Sequence, residues 1–188
     1  MTDRPAAARL SPAMRRRRRI VLGTALVIVL ALAAATARLF VWPAQGMPAR
    51  VDAIVMLDGS GSRLPVAVAL ARAHRAPMLV ISQGTPQPGQ GSACGPRIAG
   101  VRVICFHPDP PTTRGEAEFV GRLASSYHWH SIALITSTPQ LTPAGIRIGY
   151  CYPGRTYKVA APLSAAAWPP SLLYEWIATV SAEVQHSC

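Results

Sequence analysis

The chain has 188 residues, which is enough for one α/β domain and little more. Half of it is hydrophobic and only 14% is charged, and this composition excludes a wholly disordered protein. The formal net charge is +11, and the first nineteen residues, with seven arginines and one aspartate, supply +6 of it. Because this basic cluster abuts an apolar run, we expect a membrane partner and no nucleic acid.

The first forty-two residues read as a basic tail followed by a membrane anchor. Residues 1–19 are rich in Pro, Ala and Arg, end in five arginines, and are predicted to be a disordered basic cytoplasmic tail. Ile20 to Ala37 carries no charge, and because Arg38 can snorkel, the apolar run extends to Trp42. Residues 20–42 are therefore predicted to span the lipid bilayer, which leaves the rest of the chain outside the plasma membrane. A signal peptide cleaved after Ala37 is the alternative, but the apolar run is long for one.

A strand, a small turn and a helix open the exported part, after a linker over residues 43–50. Residues 51–57 are a short apolar run typical of a buried strand, and residues 63–74 form an Ala-rich helical pattern. The turn between them is Asp58-Gly59-Ser60-Gly61-Ser62. In open α/β sheets, ligands bind at the carboxyl ends of strands near helix N-termini, so this turn is the first place to look for a site.

The remaining elements alternate between strands and helices. Further strands are predicted over residues 78–82, 101–105, 131–136 and 157–160, and helices over about 113–127, 142–150 and 171–185. Thr113 and Glu116 have the spacing of a capping box at the start of the helix predicted over residues 113–127. In the last helix, one face carries Leu172, Leu173, Trp176, Ile177 and Val180. Residues 51–188 are therefore predicted to form an α/β, Rossmann-like, doubly wound domain with a mostly parallel five-stranded sheet of order 3-2-1-4-5.

Four cysteines lie in the exported part, and an even count outside the cytosol suggests disulfides. Three pairings are possible. Cys94 and Cys105 flank one short, hairpin-like stretch of chain, whereas Cys151 ends a helix that precedes the last strand and Cys188 is the last residue. We therefore expect the pairs Cys94–Cys105 and Cys151–Cys188. No C-x-x-C pair is present, which argues against a zinc site, and no metal ligand set is expected.

Three stretches of the chain resemble the YdcF/SanA/ElyC-like bacterial envelope proteins. The string DAIVMLDGSGSRL resembles the opening DAIVVLGGG-x-x-R of that family, PPTTRGEAEF resembles its second motif, and SIALITS resembles its third region. The resemblance spans about residues 51–160. It implies a Rossmann-like fold, a membrane-anchored extracytoplasmic placement and a role in cell-envelope biogenesis or barrier function.

The third region also departs from the family. Where the family commonly has a His followed by Arg-Ala, this chain has Gln140, Pro143 and Ala144. The family's reaction is poorly defined, so the resemblance implies no catalytic mechanism, and whether the chain is an enzyme is left open. His107 follows the third strand and is a weaker candidate for an acid–base group.

The predicted ligand-binding residues lie at the carboxyl ends of the strands. They are Asp58, Gly59, Ser60, Gly61, Ser62, Arg63, Gly84, Thr113, Glu116 and Ser137. The glycine turn can offer backbone N–H groups and Arg63 can pair with an anion, whereas the capping box by itself would explain Glu116. Two hypotheses follow: a domain that binds a phosphorylated or nucleotide-like envelope precursor, and a catalytically inactive interaction module that assists envelope assembly. The sequence identifies no cofactor.

Overall fold

A computed structural model of the chain describes residues 12–59, 62–84, 94, 97–185 and 188. The chain divides between Ala37 and Arg38 into two units. The first contains helix α1 (Pro12–Thr36), which is followed by a π-helical turn, Ala37–Val41. The elements of the second are β1 (Ala53–Met56), α2 (Arg63–Arg72), β2 (Met78–Ser82), β3 (Arg102–Phe106), α3 (Thr113–Tyr127), β4 (Ser131–Ser137), α4 (Leu141–Cys151), β5 (Arg155–Ala161) and α5 (Trp168–Val184). Short 3-10 turns, Thr138–Gln140 and Ala165–Ala167, precede α4 and α5.

Helix α1 is long and apolar enough to cross a membrane. Together with the π-helical turn it makes a 30-residue span whose most apolar window has a mean hydropathy of 2.5. None of the residues of α1 itself is buried against protein. This is what a membrane anchor requires, because lipid rather than protein then covers the apolar side chains. The helix begins at Pro12, so the prediction of a disordered tail is wrong for residues 12–19, while residues 1–11 lie outside the described part.

The second unit is built on a five-stranded parallel sheet of order β3-β2-β1-β4-β5. Strand β1 lies at its centre, and Val55 is in register with Val80 of β2 and Leu134 of β4. This confirms the predicted α/β class and the strand order 3-2-1-4-5. The observed strands differ from the predicted ones by one or two residues at most ends.

Helices cover both faces of the sheet, so the central strands are apolar on both sides. One core lies between α2 and the sheet and contains Ile54, Leu79, Ile81 and Ile135 with Ala67 and Ala71 of the helix. The other lies beneath α3 and α4 and contains Val55, Val80 and Leu134 with Val120 and Ile148 of the helices. Neighbouring residues Ile54 and Val55 point to opposite faces, as strand geometry demands.

Two disulfides join the predicted pairs. Cys94 is bonded to Cys105 on edge strand β3, and Cys188 is bonded to Cys151 at the end of α4. The Cα atoms are 5.9 Å apart in the first pair and 4.9 Å apart in the second. The pairing prediction is therefore confirmed, and disulfides are typical of proteins in oxidising compartments.

One prediction about a helix needs correction. The N-cap of α3 is Thr112, not Thr113, and its hydroxyl accepts a hydrogen bond from the Gly115 N–H at 3.4 Å. Glu116 therefore takes no part in a capping box. The apolar residues predicted on one face of α5 are only partly covered: Leu173 and Ile177 are 70% and 64% exposed and Trp176 is half-buried, whereas the buried side chains of the helix are Glu175, Thr179 and Ala182.

Candidate functional site

A cleft of about 540 Å³ opens at the carboxyl edge of the sheet. Its floor is made by the ends of β1 and β4, and its walls by the starts of α2, α3 and α5. The residues that line it are Asp58, Gly59, Arg63, Gly84, Pro108, Pro111, Thr112, Thr113, Glu116, Ser137, Gln140, Ala167, Pro170, Ser171, Tyr174 and Glu175. This size is within the range of pockets that hold small organic ligands.

The cleft brings together seven of the ten residues proposed from the sequence. They are Asp58, Gly59, Arg63, Gly84, Thr113, Glu116 and Ser137. Ser62 is exposed at the start of α2 and does not line the cleft. Ser60 and Gly61 lie outside the described residues.

Arg63 is the buried centre of the site, with only 3% of its surface exposed. One terminal nitrogen donates to the carbonyls of Leu57, at 3.1 Å, and Asp58. The other donates to Ser137 Oγ at 3.2 Å and to Gln140 Oε1 at 2.8 Å. Burial lowers the pKa of the guanidinium, and the neighbouring carboxylates, Glu116 first, oppose that shift. Arg63 therefore ties β1 to β4 and places a positive charge beneath the cleft.

Glu116 points from the first turn of α3 into the cleft, where it is 3% exposed. Its Oε1 accepts a hydrogen bond from the backbone N–H of Asp58 at 2.7 Å. Burial raises the pKa of this carboxyl to about 7, although the hydrogen bond and the charge of Arg63 act in the opposite direction. A carboxyl group with such a pKa can accept or release a proton near neutral pH, which capping would not require.

Glu175 is a second buried carboxyl group, and the sequence reasoning did not select it. It lies on α5, is 5% exposed, and burial raises its pKa to about 7 against the attraction of Arg63. Its Oε2 has no hydrogen-bond partner among the described residues. The sequence does contain one indication of its role, because Glu175 is the first acidic residue in the otherwise apolar stretch of α5. An unsatisfied buried oxygen that lines a cleft is a position where a ligand's hydroxyl or amine can donate.

Gln140 connects the parts of the site. Its Oε1 accepts from Arg63 and also from Thr136 Oγ1 at 2.7 Å, and its Nε2 donates to Thr113 Oγ1 at 3.4 Å. The amide thereby joins the ends of β4, α2 and α3. The sequence shows Gln140 only as a departure from a family motif. In the structure its hydrogen bonds position Arg63 and Thr113.

Two glycines allow the backbone to close around the buried charges. Gly59 has φ +129°, a conformation that L side chains rarely adopt, and a Cβ there would lie 2.7 Å from a terminal nitrogen of Arg63. At Gly84 a Cβ would collide with the carboxylate of Asp58. Glycine at these two places is therefore explained by close approach to the charged side chains.

The starts of α2 and α3 both open onto the cleft, through Arg63 and Thr113. Helix N-termini leave backbone N–H groups unpaired and carry a partial positive charge, so together they favour an anionic group. The two carboxyl groups favour the hydroxyl or amine groups of the same ligand. The arrangement suits a molecule that carries both a phosphate-like and a polar neutral part.

The described residues contain no group of three or more His, Cys, Asp and Glu side chains that can hold a metal ion. His107 is exposed and does not line the cleft, and its Nδ1 is 2.9 Å from the Gln83 carbonyl oxygen. In the described arrangement its ring is not placed to act in the cleft.

No known family model, curated protein or solved structure matches the chain.

Proposed function

We propose that this protein is a membrane-anchored, extracytoplasmic domain that binds a phosphorylated or nucleotide-like precursor of the cell envelope. The observation that carries the proposal is the convergence of two helix N-termini and the buried Arg63 on one cleft. The resemblance to the YdcF/SanA/ElyC-like proteins supplies the envelope setting, and the anchor and disulfides agree with it.

The anionic part of the ligand would lie against the first turns of α2 and α3. The terminal nitrogens of Arg63 already donate to protein acceptors. Its positive charge would therefore attract the anion through space, without a bidentate hydrogen bond to it. The neutral polar part would reach the carboxyl groups of Glu116, on the first turn of α3, and Glu175, on α5. Both carboxyl groups have a pKa of about 7, so their charge depends on pH in the neutral range.

The experiment is titration of the full-length protein with UDP-N-acetylglucosamine at about pH 6 and about pH 8. This probe has a fixed negative charge over that range, so any change in Kd comes from the protein. Binding should weaken several-fold at the higher pH, because ionised carboxyl groups then repel the diphosphate. Uridine, which lacks the phosphates, should bind poorly at both values.

A matched pair of variants assigns the pH effect. Glu175→Gln removes one of the two carboxyl groups that titrate near neutral pH in the cleft, and the loss of affinity between about pH 6 and about pH 8 should then become smaller. Glu183→Gln alters the exposed glutamate of the same helix, which does not line the cleft, and should behave as the unmodified protein. If neither this probe nor inorganic phosphate shifts the melting temperature of the unmodified protein, the anion-binding proposal is wrong.

The orientation we propose places residues 1–19 in the cytoplasm and the α/β domain outside. The five arginines beside the apolar run support it, since basic flanks stay on the cytoplasmic side. An alkaline phosphatase fused after Cys188 should be active in cells. Strong activity of a cytosolic reporter at the same position would reverse the assignment.

A non-enzymatic interaction module is the second candidate. It is favoured by the complete use of the terminal guanidinium nitrogens of Arg63 within the protein and by Gln140 at a place where the family commonly has His. This candidate predicts that Glu116→Gln, which keeps an acceptor for the Asp58 N–H, leaves the cellular phenotype intact. Loss of the phenotype with a folded protein would count against it.

A further inference from the structure

The outer face of α5 carries a stripe of apolar side chains that no described residue covers. Leu173, Ile177, Val180 and Val184 are 70%, 64%, 57% and 73% exposed. Their spacing of four, three and four residues places them on one line along the helix. The buried residues of α5, Glu175, Thr179 and Ala182, lie on the opposite side, so the stripe faces directly away from the domain.

This stripe lies next to the carboxyl end of the candidate membrane span. Phe40, in the last turn of that span, is fully buried, and its ring meets Trp176 of α5 edge-on with 5.2 Å between centroids. The preceding carbonyl, that of Leu39, accepts a hydrogen bond from Thr142 Oγ1 of α4. The ring contact joins α5 to the last turn of the span, and the hydrogen bond joins α4 to the same turn.

We propose that α5 lies on the surface of the bilayer that the anchor spans, with the stripe inserted between the lipid headgroups. Leu, Ile and Val on one face suit the boundary between headgroups and acyl chains. The anchor keeps this bilayer at a high effective concentration that a free protein partner would lack.

The attraction is apolar rather than electrostatic. Helix α5 contains no Lys or Arg, and one of its two acidic residues, Glu175, is turned into the cleft. Docking therefore requires no anionic lipid. The domain would then have a fixed orientation, with α5 against the membrane. This orientation does not depend on which ligand the cleft binds.

The test places the photoreactive residue p-benzoylphenylalanine at Ile177 of the full-length protein in nanodiscs of pure phosphatidylcholine. The matched control carries it at Arg72, an exposed position at the end of α2 on the other face of the sheet. After irradiation, intact-protein mass spectrometry should show lipid adducts several-fold more abundant at Ile177 than at Arg72. Adding phosphatidylglycerol should leave the ratio unchanged.

Three results would overturn the proposal. They are equal lipid adduct formation at Ile177 and Arg72, adducts that appear only with anionic lipid, and a covalent dimer in place of lipid adducts, which would mean that a second copy covers the stripe. Because both positions are exposed, the variants should keep the fold. If the Ile177 variant fails to form its disulfides, Leu173 on the same stripe takes its place with the same expected outcome.

Discussion

At the scale of single residues, two carboxyl groups set the chemistry of the cleft. Glu116 and Glu175 are each about 95% buried or more, on different helices, and both face the charge of Arg63. Burial is the largest influence on each pKa and raises it to about 7. Ionising these two carboxyl groups costs more free energy in the folded state than in the unfolded state. The free energy of unfolding therefore depends on pH.

We expect Glu175→Gln to reduce that pH dependence. The folded pKa of Glu175, about 7, lies above the ordinary value of 4.5, so its contribution is fully present below about pH 4.5 and is lost as pH rises to 7. The variant should match the unmodified protein at low pH and exceed its free energy of unfolding at pH 8 by on the order of 2 kcal/mol. Unfolding in detergent, followed by tryptophan fluorescence across this range, measures the difference. Glu183→Gln is the control, and an unaltered pH profile in Glu175→Gln would show that this carboxyl is not the titrating group.

At the scale of elements, the start of α3 decides what Glu116 can do. With Thr112 as N-cap, the helix begins one residue earlier than a capping box at Thr113 would place it. The Thr112 hydroxyl then accepts the hydrogen bond from the N–H of Gly115. Glu116 is not needed for capping, and it accepts a hydrogen bond from the N–H of Asp58 after β1. A shift of one residue at a helix start thus turns a capping side chain into a cleft side chain.

Replacing the two threonines separately tests this assignment. Thr112→Ala removes the cap and should lower the free energy of unfolding by about 1 kcal/mol. Thr113→Ala loses only a long contact with Gln140, at 3.4 Å, and should cost a few tenths of that amount. The two variants are compared by denaturant unfolding under the same conditions. A larger loss of unfolding free energy in Thr113→Ala than in Thr112→Ala would show that Thr113 is the N-cap after all.

At the scale of the whole molecule, two disulfides brace parts of the chain that the sheet does not hold. The bond from Cys105 secures Cys94 to edge strand β3, and the bond from Cys151 ties the chain end at Cys188 to α4. The second closes the longer loop, with a sequence separation of 37 against 11. Longer closed loops restrict the unfolded chain more strongly.

We therefore expect the carboxyl-terminal bond to contribute more stability. In the chain-entropy model the loops are worth about 3 and about 4 kcal/mol. Cys151→Ser with Cys188→Ser should accordingly lower the melting temperature more than Cys94→Ser with Cys105→Ser. Pairwise replacement avoids a free thiol that could exchange. Four free thiols in protein taken from cells would contradict both the pairing and the extracytoplasmic placement.

The sequence by itself determined the class of the fold, the strand order, the apolar span and the cysteine pairing. These follow from local patterns: short apolar runs alternate with helical stretches, and a parallel sheet with short right-handed crossovers leaves few possible orders. The same reasoning placed the site, because strand ends and helix starts in such a sheet meet at one edge. Asp58, Arg63 and Ser137 could be selected from their position alone.

Only the tertiary structure decided the roles of the side chains within that edge. Glu175 lies more than a hundred residues after Asp58 in the chain, and no local pattern shows that α5 turns this carboxyl group into the cleft. The same rotation exposes Leu173 and Ile177, which the helical pattern alone made equally suited to a core. Which face of a helix is buried depends on the long-range contacts of Phe40, Thr142 and the other elements packed against it, and these contacts are not encoded in the periodicity of the helix itself.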